Sequence, residues 1–493
     1  MAPAPGHRQS RVRGAGGSVA VWLVVAVALI AIVAMAALYA DRPGEVADPP
    51  LSAPTLTSGE PPLVVPGLEL GTPPAAEPVL TGVDPAAPST ASAAALQRAL
   101  RGTLTSPDLG KHVEFAVAEL GSRAPTLASG RPDLVTPAST LKLLTATAAL
   151  HSLGADHRFS TSVVTGDKPH ALVLVGGGDP LLTDVRPTQG ETSLPFAEPA
   201  SLAELAALTA RRLRANGVRP VSLTYDDSLF TGPAVNPTWE PSYIPESIVS
   251  PVSALWVDEG RVDPDQATRV GDPANEAAQR FADLLGKRGI DVRGEPRSGR
   301  ATAQAQEVAR VDSAPLAAIV QHVIEVSDNE AAEVLLRHVA LASGSPGSSL
   351  AGVESMTTAL EGIGVDLRGA EILDGSGLSR DSVVPIRALV AIVQLAADQE
   401  HPELRSVVSS LPIAGFTGSL ASRFVATAPA GLGVVRAKTG TLTGVHGLAG
   451  MVMTRAGSVL VFAVVADQVP PRLTLAARAQ LERIATALST CRC

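Results

Sequence analysis

Ser139 and Lys142 stand three residues apart in the stretch Thr136-Pro137-Ala138-Ser139-Thr140-Leu141-Lys142. A serine hydroxyl is a weak nucleophile until a neighbouring base takes its proton, and a lysine stripped of water can be that base. Thr136 suits an N-cap and Pro137 a first helical position, so the spacing predicts a helix running to Gly154 with Ser139 in its first turn. There the serine N–H has no intrahelical acceptor and can face a developing oxyanion, with Lys142 on the same face of the helix. Lysine occurs only at 111, 142, 168, 287 and 438, while arginine does most other cationic work. Arginine cannot give up its proton, so a lysine kept beside a serine hints at chemistry arginine could not do. The bland alternative is an amphipathic helix carrying a solvated lysine.

Two further groups carry chemistry. Ser327-Asp328-Asn329 opens a helix, which lets Ser327 and Asn329 project from a turn into a cleft, although Ser327 with Glu330 also fits a helix capping box. Lys438-Thr439-Gly440-Thr441 is expected at the end of a strand that starts near Gly433. A cation and two hydroxyls there suit a terminal carboxylate, and Gly440 would let a ligand backbone approach closely. Asp374-Gly375-Ser376-Gly377-Leu378-Ser379-Arg380 has the composition of a surface loop. Gly176-Gly177-Gly178-Asp179-Pro180 lacks the Gly-Lys-Ser/Thr of a phosphate cradle, no Gly-x-Ser-x-Gly elbow occurs, and His446 is read as structural.

These pieces need a scaffold, and its elements are legible. A helix is predicted over about 92–102 and strand-like runs over 112–120, 159–164 and 171–175, followed by helices over 201–216, 275–287, 315–325 and 330–342. Strands over 433–437, 448–454 and 459–466, with a hairpin turn at 455–458, precede a closing helix over 472–488. The pattern is α/β in the α+β sense: an antiparallel sheet flanked by helices from both ends of the body.

Ahead of the body, residues 19–40 form an uncharged run long enough to cross a bilayer, with Arg8, Arg11 and Arg13 before it and Asp41, Glu45 and Asp48 after it. The expected order is a cytoplasmic tail (1–18), a transmembrane anchor (19–40) and a proline-rich linker (41–92) carrying the body out of the cytoplasm. A cleaved signal peptide ending near Ala34-Met35-Ala36 is the rival reading. A net charge of -9 gives no reason to expect nucleic acid. Cys491 and Cys493, the only cysteines, are too closely spaced for a good structural bridge, so neither a disulfide nor a zinc site is expected.

In the order Ser-x-x-Lys, Ser-x-Asn, Lys-Thr-Gly, the three motifs form the set of β-lactamases and penicillin-binding proteins. From about residue 92 to 490 the chain resembles the low-molecular-weight penicillin-binding proteins that act as D-alanyl-D-alanine carboxypeptidases and DD-endopeptidases, in the branch with a large inserted domain. Residues 176–180, 374–380 and Leu411-Pro412-Ile413-Ala414-Gly415 look like pieces of that family too. The resemblance implies a transpeptidase/β-lactamase-like domain over 93–165 and 309–493 and a mainly β insert over 166–308. It implies that Ser139 attacks the carbonyl between two D-alanines to form an acyl-enzyme, with Lys142 as base and Ser327 and Lys438 relaying the proton to the leaving amine. Asn329 would bind the substrate amide, Thr439, Gly440 and Thr441 the carboxylate end, and the N–H groups of Ser139 and Thr441 the oxyanion. Peptidoglycan stem peptides are the implied substrates and β-lactams the inhibitors, with no cofactor and no metal. A β-lactamase or esterase on the same fold, or a non-catalytic wall-binding protein, are the competing readings. Ser139 and Ser327 lie further apart than in a compact β-lactamase, and no Leu-Asn pair of the class A type exists. Asp381-Ser382 departs from the family, where asparagine is common after the loop.

Overall fold

The computed structural model describes residues 91–493 except 123, 186–197 and 265. The expected tail and membrane span, and all but the last two residues of the linker, lie outside the described residues. Among the described residues no helix is long and apolar enough to cross a membrane.

The chain opens with α1 (Ala93–Leu104), β1 (Val113–Glu119), β2 (Leu127–Ala128) and β3 (Leu134–Val135), then a 3-10 turn (Ala138–Leu141) that passes into α2 (Lys142–Leu153). A second group follows: β4 (Ser160–Thr165), β5 (Ala171–Val175), α3 (Leu202–Ala215), β6 (Pro220–Asp226), α4 (Pro273–Gly286), β7 (Asp291–Val292), β8 (Arg297–Ser298) and β9 (Glu307–Asp312). Next come α5 (Leu316–Val326), α6 (Asn329–Ala342), α7 (Ser349–Gly362), β10 (Val384–Pro385), α8 (Ile386–Ala397) and α9 (Arg405–Ser409). The chain closes with β11 (Val435–Leu442), β12 (Val445–Met453), β13 (Val459–Ala466) and α10 (Thr474–Thr490).

Local chemistry fixes many of these boundaries. Ser92 Oγ accepts the Ala95 N–H at 3.2 Å and starts α1, so this residue belongs to the folded body and not to the linker. Ser201 caps α3 in the same way, with Glu204 in the first turn, and Asp272 caps α4 ahead of Pro273. The hairpin between β12 and β13 turns at Thr454–Ser458, where Gly457 takes φ 91° and the Thr454 N–H donates to Ser458 O at 2.8 Å.

β11, β12, β13, β1 and β2 lie side by side in that order, and every neighbouring pair is antiparallel. Strand alternation sends two sets of apolar side chains to opposite faces. On one face Ala449, Val461, Ala463 and Val465 pack with Leu143, Leu144, Ile319, Leu335 and Leu389 from α2, α5, α6 and α8. On the other, Leu448, Val452, Phe462 and Val464 pack with Leu96, Leu100, Leu481, Ile484 and Leu488 from α1 and α10. Each fully buried leucine contributes roughly 2 kcal/mol, and the sheet is thus held from both sides.

A second sheet is built in the order β7-β6-β5-β4-β9, with β8 also pairing β6. β4 meets β5 and β9 antiparallel, whereas β5, β6, β7 and β8 pair in parallel. Its core is closed by α3 and α4 through Leu205, Ala206, Ala277, Phe281 and Leu285. The insert, expected as mainly β over 166–308, therefore carries two helices, because parallel strands need crossover connections, and its sheet takes in β4 and β9 side by side at one end.

Cys491 and Cys493 depart from expectation: their sulfurs are bonded to each other, and both side chains are buried against the α1/α10 core. The two Cα atoms stand 5.3 Å apart, within the range a bridge spans, so the short spacing does not prevent one.

Candidate functional site

The Ser139 turn differs from the helix start expected. Pro137 occupies the cap position of a 3-10 turn, without a side-chain cap, and α2 begins only at Lys142. The Thr136 N–H is taken by Asp467 Oδ2 at 3.0 Å, and its hydroxyl donates to Arg380 O at 3.4 Å. Ala138 sits at φ 46°, a left-handed conformation costing an alanine about 1–2 kcal/mol. That backbone is wedged between two glycines. A Cβ on Gly377 would overlap the Ala138 carbonyl, and one on Gly440 would come 2.8 Å from Pro137 O. Gly440 is thus needed for a close approach by the protein's own chain.

Lys142 has no exposed surface, and its Nζ donates to Ser139 Oγ at 3.1 Å, Asn329 Oδ1 at 2.8 Å and Ser376 O at 2.7 Å. Burial pulls this amine down to about 8, and the carboxylates of Asp374, Asp328, Glu333 and Glu330 oppose the fall. Loss of the proton facing Ser139 lets the hydroxyl donate in its turn, which is the geometry of a general base and its nucleophile.

Ser327 does not cap α6. It ends α5 in the left-handed region, φ 67°, and Asp328 caps instead, its Oδ1 accepting the Ala331 N–H at 2.9 Å. Asp328 Oδ2 meets His322 Nε2 at 2.9 Å, and Glu259 from the inserted stretch lies 3.7 Å from the same nitrogen. Burial works against charge in this group. The hydrogen bonds to Asp328 and Glu259 outweigh it and raise His322 to about 10, while the His322 contact holds Asp328 well below the carboxylate range. These three are the one set among the described residues with ligand-type atoms within 4.8 Å of one another. The charged imidazole already compensates their carboxylates, as does Arg261 at 2.7 Å from Glu259, so the set is held as an ion network.

Lys438 is also without exposed surface and donates to Ser327 Oγ at 2.7 Å and Thr439 O at 3.2 Å. Burial, reinforced by Lys142, lowers its proton affinity well below that of an ordinary lysine. The motif lies within β11, not at its end: Lys438 pairs with Ala449 and Thr441 with His446, because the turn at Thr443 and Gly444 is tight enough to continue the ladder to Leu442. The Thr439 hydroxyl donates to Ser419 Oγ at 2.9 Å.

Ser139, Ser327, Asn329, Thr439 and Thr441 line one cleft of about 370 Å³, and the buried Lys142 and Lys438 are hydrogen-bonded to its two serines. Tyr243, Glu246 and Ile248 of the inserted stretch line it too. Asn329 Nδ2 donates to Ile248 O at 3.1 Å, so this side chain bridges Lys142 and the inserted stretch. The Asp374 loop is no surface loop: Asp374, Ser376 and Ser379 have no exposed area, and the Ser376 carbonyl is an acceptor for Lys142. His446 is buried with neither ring nitrogen hydrogen-bonded, and burial with the charges of Arg478 and Arg423 lowers it to about 4, so it stays neutral. Sequence reasoning missed Ser376, Ile248, Glu333 and Ser419. Only Glu333 left a signal, standing one helical turn beyond Asn329 on the same face.

A model of the D-Ala-D-Ala carboxypeptidase 3 (S13) family matches residues 96–268 and 265–488. A carboxypeptidase of Mycobacterium tuberculosis is 36% identical over 423 residues, covering 84% of this chain and 88% of the relative. Carboxypeptidase DacB of Mycolicibacterium smegmatis is 34% identical over 480 residues, covering 96% and 97%. Among solved structures, penicillin binding protein 4 (dacB) from Haemophilus influenzae superposes with a TM-score of 0.65 at 21% identity, over 79% of this chain and 97% of that one. The likeness to it is one of fold.

Proposed function

The chain belongs to the D-Ala-D-Ala carboxypeptidase 3 (S13) family and is a serine D-Ala-D-Ala carboxypeptidase, and from that premise we propose how its residues divide the reaction. Neutral Lys142 takes the Ser139 proton as Oγ attacks the carbonyl between the two D-alanines. The oxyanion is met by the N–H groups of Ser139 and Thr441, donors of a kind typically worth about 3 kcal/mol each. Collapse breaks the peptide bond, and the Ser327–Lys438 pair relays the proton held by Lys142 to the leaving amine, which leaves Lys142 neutral again. Water then attacks the ester, giving its proton to Lys142, and Lys142 returns that proton to Ser139 Oγ as the acid leaves. Asn329 holds the substrate amide, and Thr439, Gly440 and Thr441 form the end that takes its carboxylate.

The observation that carries this reading is the chain of contacts Ser139–Lys142–Asn329 and Ser327–Lys438 along a single cleft. Peptidoglycan stem peptides are the substrate, cross-link cleavage is a further activity of the same site, and β-lactams acylate Ser139. Residues 93–165 and 309–493 form the catalytic domain, interrupted by the 166–308 insert. Residues 19–40, uncharged between basic and acidic flanks, anchor the chain with its body outside the cytoplasm. Incubating the purified chain with a peptide ending in D-Ala-D-Ala tests the assignment: free D-alanine is expected from wild type and none from Ser139→Ala. Equal release by both would remove Ser139 from the role of nucleophile.

A further inference from the structure

Glu333 projects from α6 and is 1% exposed. Its Oε1 accepts the N–H groups of Gly375 and Ser376, at 2.9 and 2.8 Å. Asp374, which heads the same loop, takes the Gly377 N–H at 3.0 Å, the Ser379 N–H at 2.7 Å and the Trp239 indole N–H at 2.9 Å. The loop lies flat on α6, since a Cβ at Gly375 would stand 2.9 Å from Ala332 O. Held in this way, it turns the Ser376 carbonyl toward Lys142 Nζ at 2.7 Å.

A buried carboxylate is a costly means of accepting two backbone N–H groups, because a neutral amide oxygen could accept them without a desolvated charge. Two cations feel this charge: Arg337, one turn along α6, and Lys142, whose acceptor Ser376 lies in the loop that Glu333 holds. We propose that Glu333 is a positioning residue for acyl transfer: through Gly375 and Ser376 it aims the Ser376 carbonyl at Lys142, and its negative charge sets how tightly that amine keeps its proton. The inference rests on Lys142 as the base of the reaction.

The other charges in the neighbourhood are accounted for. Lys142 is faced by Asp374 from the loop, by Asp328, Glu330 and Glu333 around α6, and by Lys438 from β11. Glu333 itself faces Asp374 and, one turn along α6, Arg337. Burial and then Asp374 push Glu333 up to about 7, and the N–H groups of Gly375 and Ser376 oppose that rise.

The test is the rate of acylation of the full chain by a fluorescent penicillin across pH 5 to 10. Glu333→Gln keeps an acceptor oxygen and removes the charge, so the acidic limb of the profile moves to lower pH by about one unit. Glu333→Asp keeps the charge and shortens the reach. Its rate falls about tenfold, and its limb stays in place. A Gln variant whose limb coincides with that of wild type overturns the field, and an Asp variant as fast as wild type overturns the positioning. If the Gln variant does not fold, the Asp variant alone decides, through its rate. Wild type that takes no label would contradict the proposed acylation and not this inference, so the two failures are distinct.

Discussion

Lys142 and Lys438 are both fully buried amines, each hydrogen-bonded to a serine of one cleft, yet their surroundings differ. Lys142 has three acceptors and lies among four carboxylates. Lys438 has a hydroxyl and its own strand's carbonyl, and the charge that acts on it is that of the other lysine. Burial drives both down; carboxylates oppose the fall at Lys142, which lies at about 8, whereas the charge of Lys142 adds to the fall at Lys438. The difference separates two tasks: an amine among carboxylates that can lose and regain a proton is fitted to be a base, and one that a like charge makes reluctant to hold a proton is fitted to pass one along through Ser327. The acidic residues of α6 and the Asp374 loop make them different.

The comparison can be broken at several points. Lys142→Arg keeps the charge and removes the basicity, so acylation by a fluorescent penicillin should fall about 10³-fold, and near-normal labelling would end the base assignment. Ser327→Ala takes away the hydroxyl shared with Lys438 and leaves the Ser139–Lys142 contact. The expected loss is smaller, about 10²-fold, measured as D-alanine release.

His322→Asn leaves Asp328 buried without its cation, Glu259 keeping Arg261, and should destabilise the fold by about 3 kcal/mol in urea melts. Because the folded-state value of His322 is raised to about 10, its contribution is full below about 6.5, the value of a free imidazole, and is lost as pH rises through 10. The stability gap between wild type and variant should narrow over that window, and a constant gap would remove the ion network from the account. Gly440→Ala is expected to cost least, about 1–2 kcal/mol in the same melts, as Pro137 O moves away from the new methyl group.

The three motifs were legible because each needs a particular side chain at a fixed spacing, and the strands of the antiparallel sheet because alternation marks a face. What escaped depends on partners remote in sequence. Ser327 and Asp328 both suit a cap, and only the His322 contact, made across the α5–α6 junction, accompanies the choice of Asp328. The Asp374 loop has a surface composition and is buried because Glu333 and Asp374 satisfy its N–H groups. Ser376 contributes a carbonyl, which no side-chain pattern can announce. Thr136 looked like a cap because nothing local shows that Asp467, far along the chain, takes its N–H.

Peptide mapping by mass spectrometry after reaction with penicillin tests the central claim most directly. One penicilloyl group is expected on the peptide containing Ser139, and it should form more slowly when an excess of a D-Ala-D-Ala peptide competes for the cleft. An adduct on a different residue, with Ser139 unmodified, would contradict it.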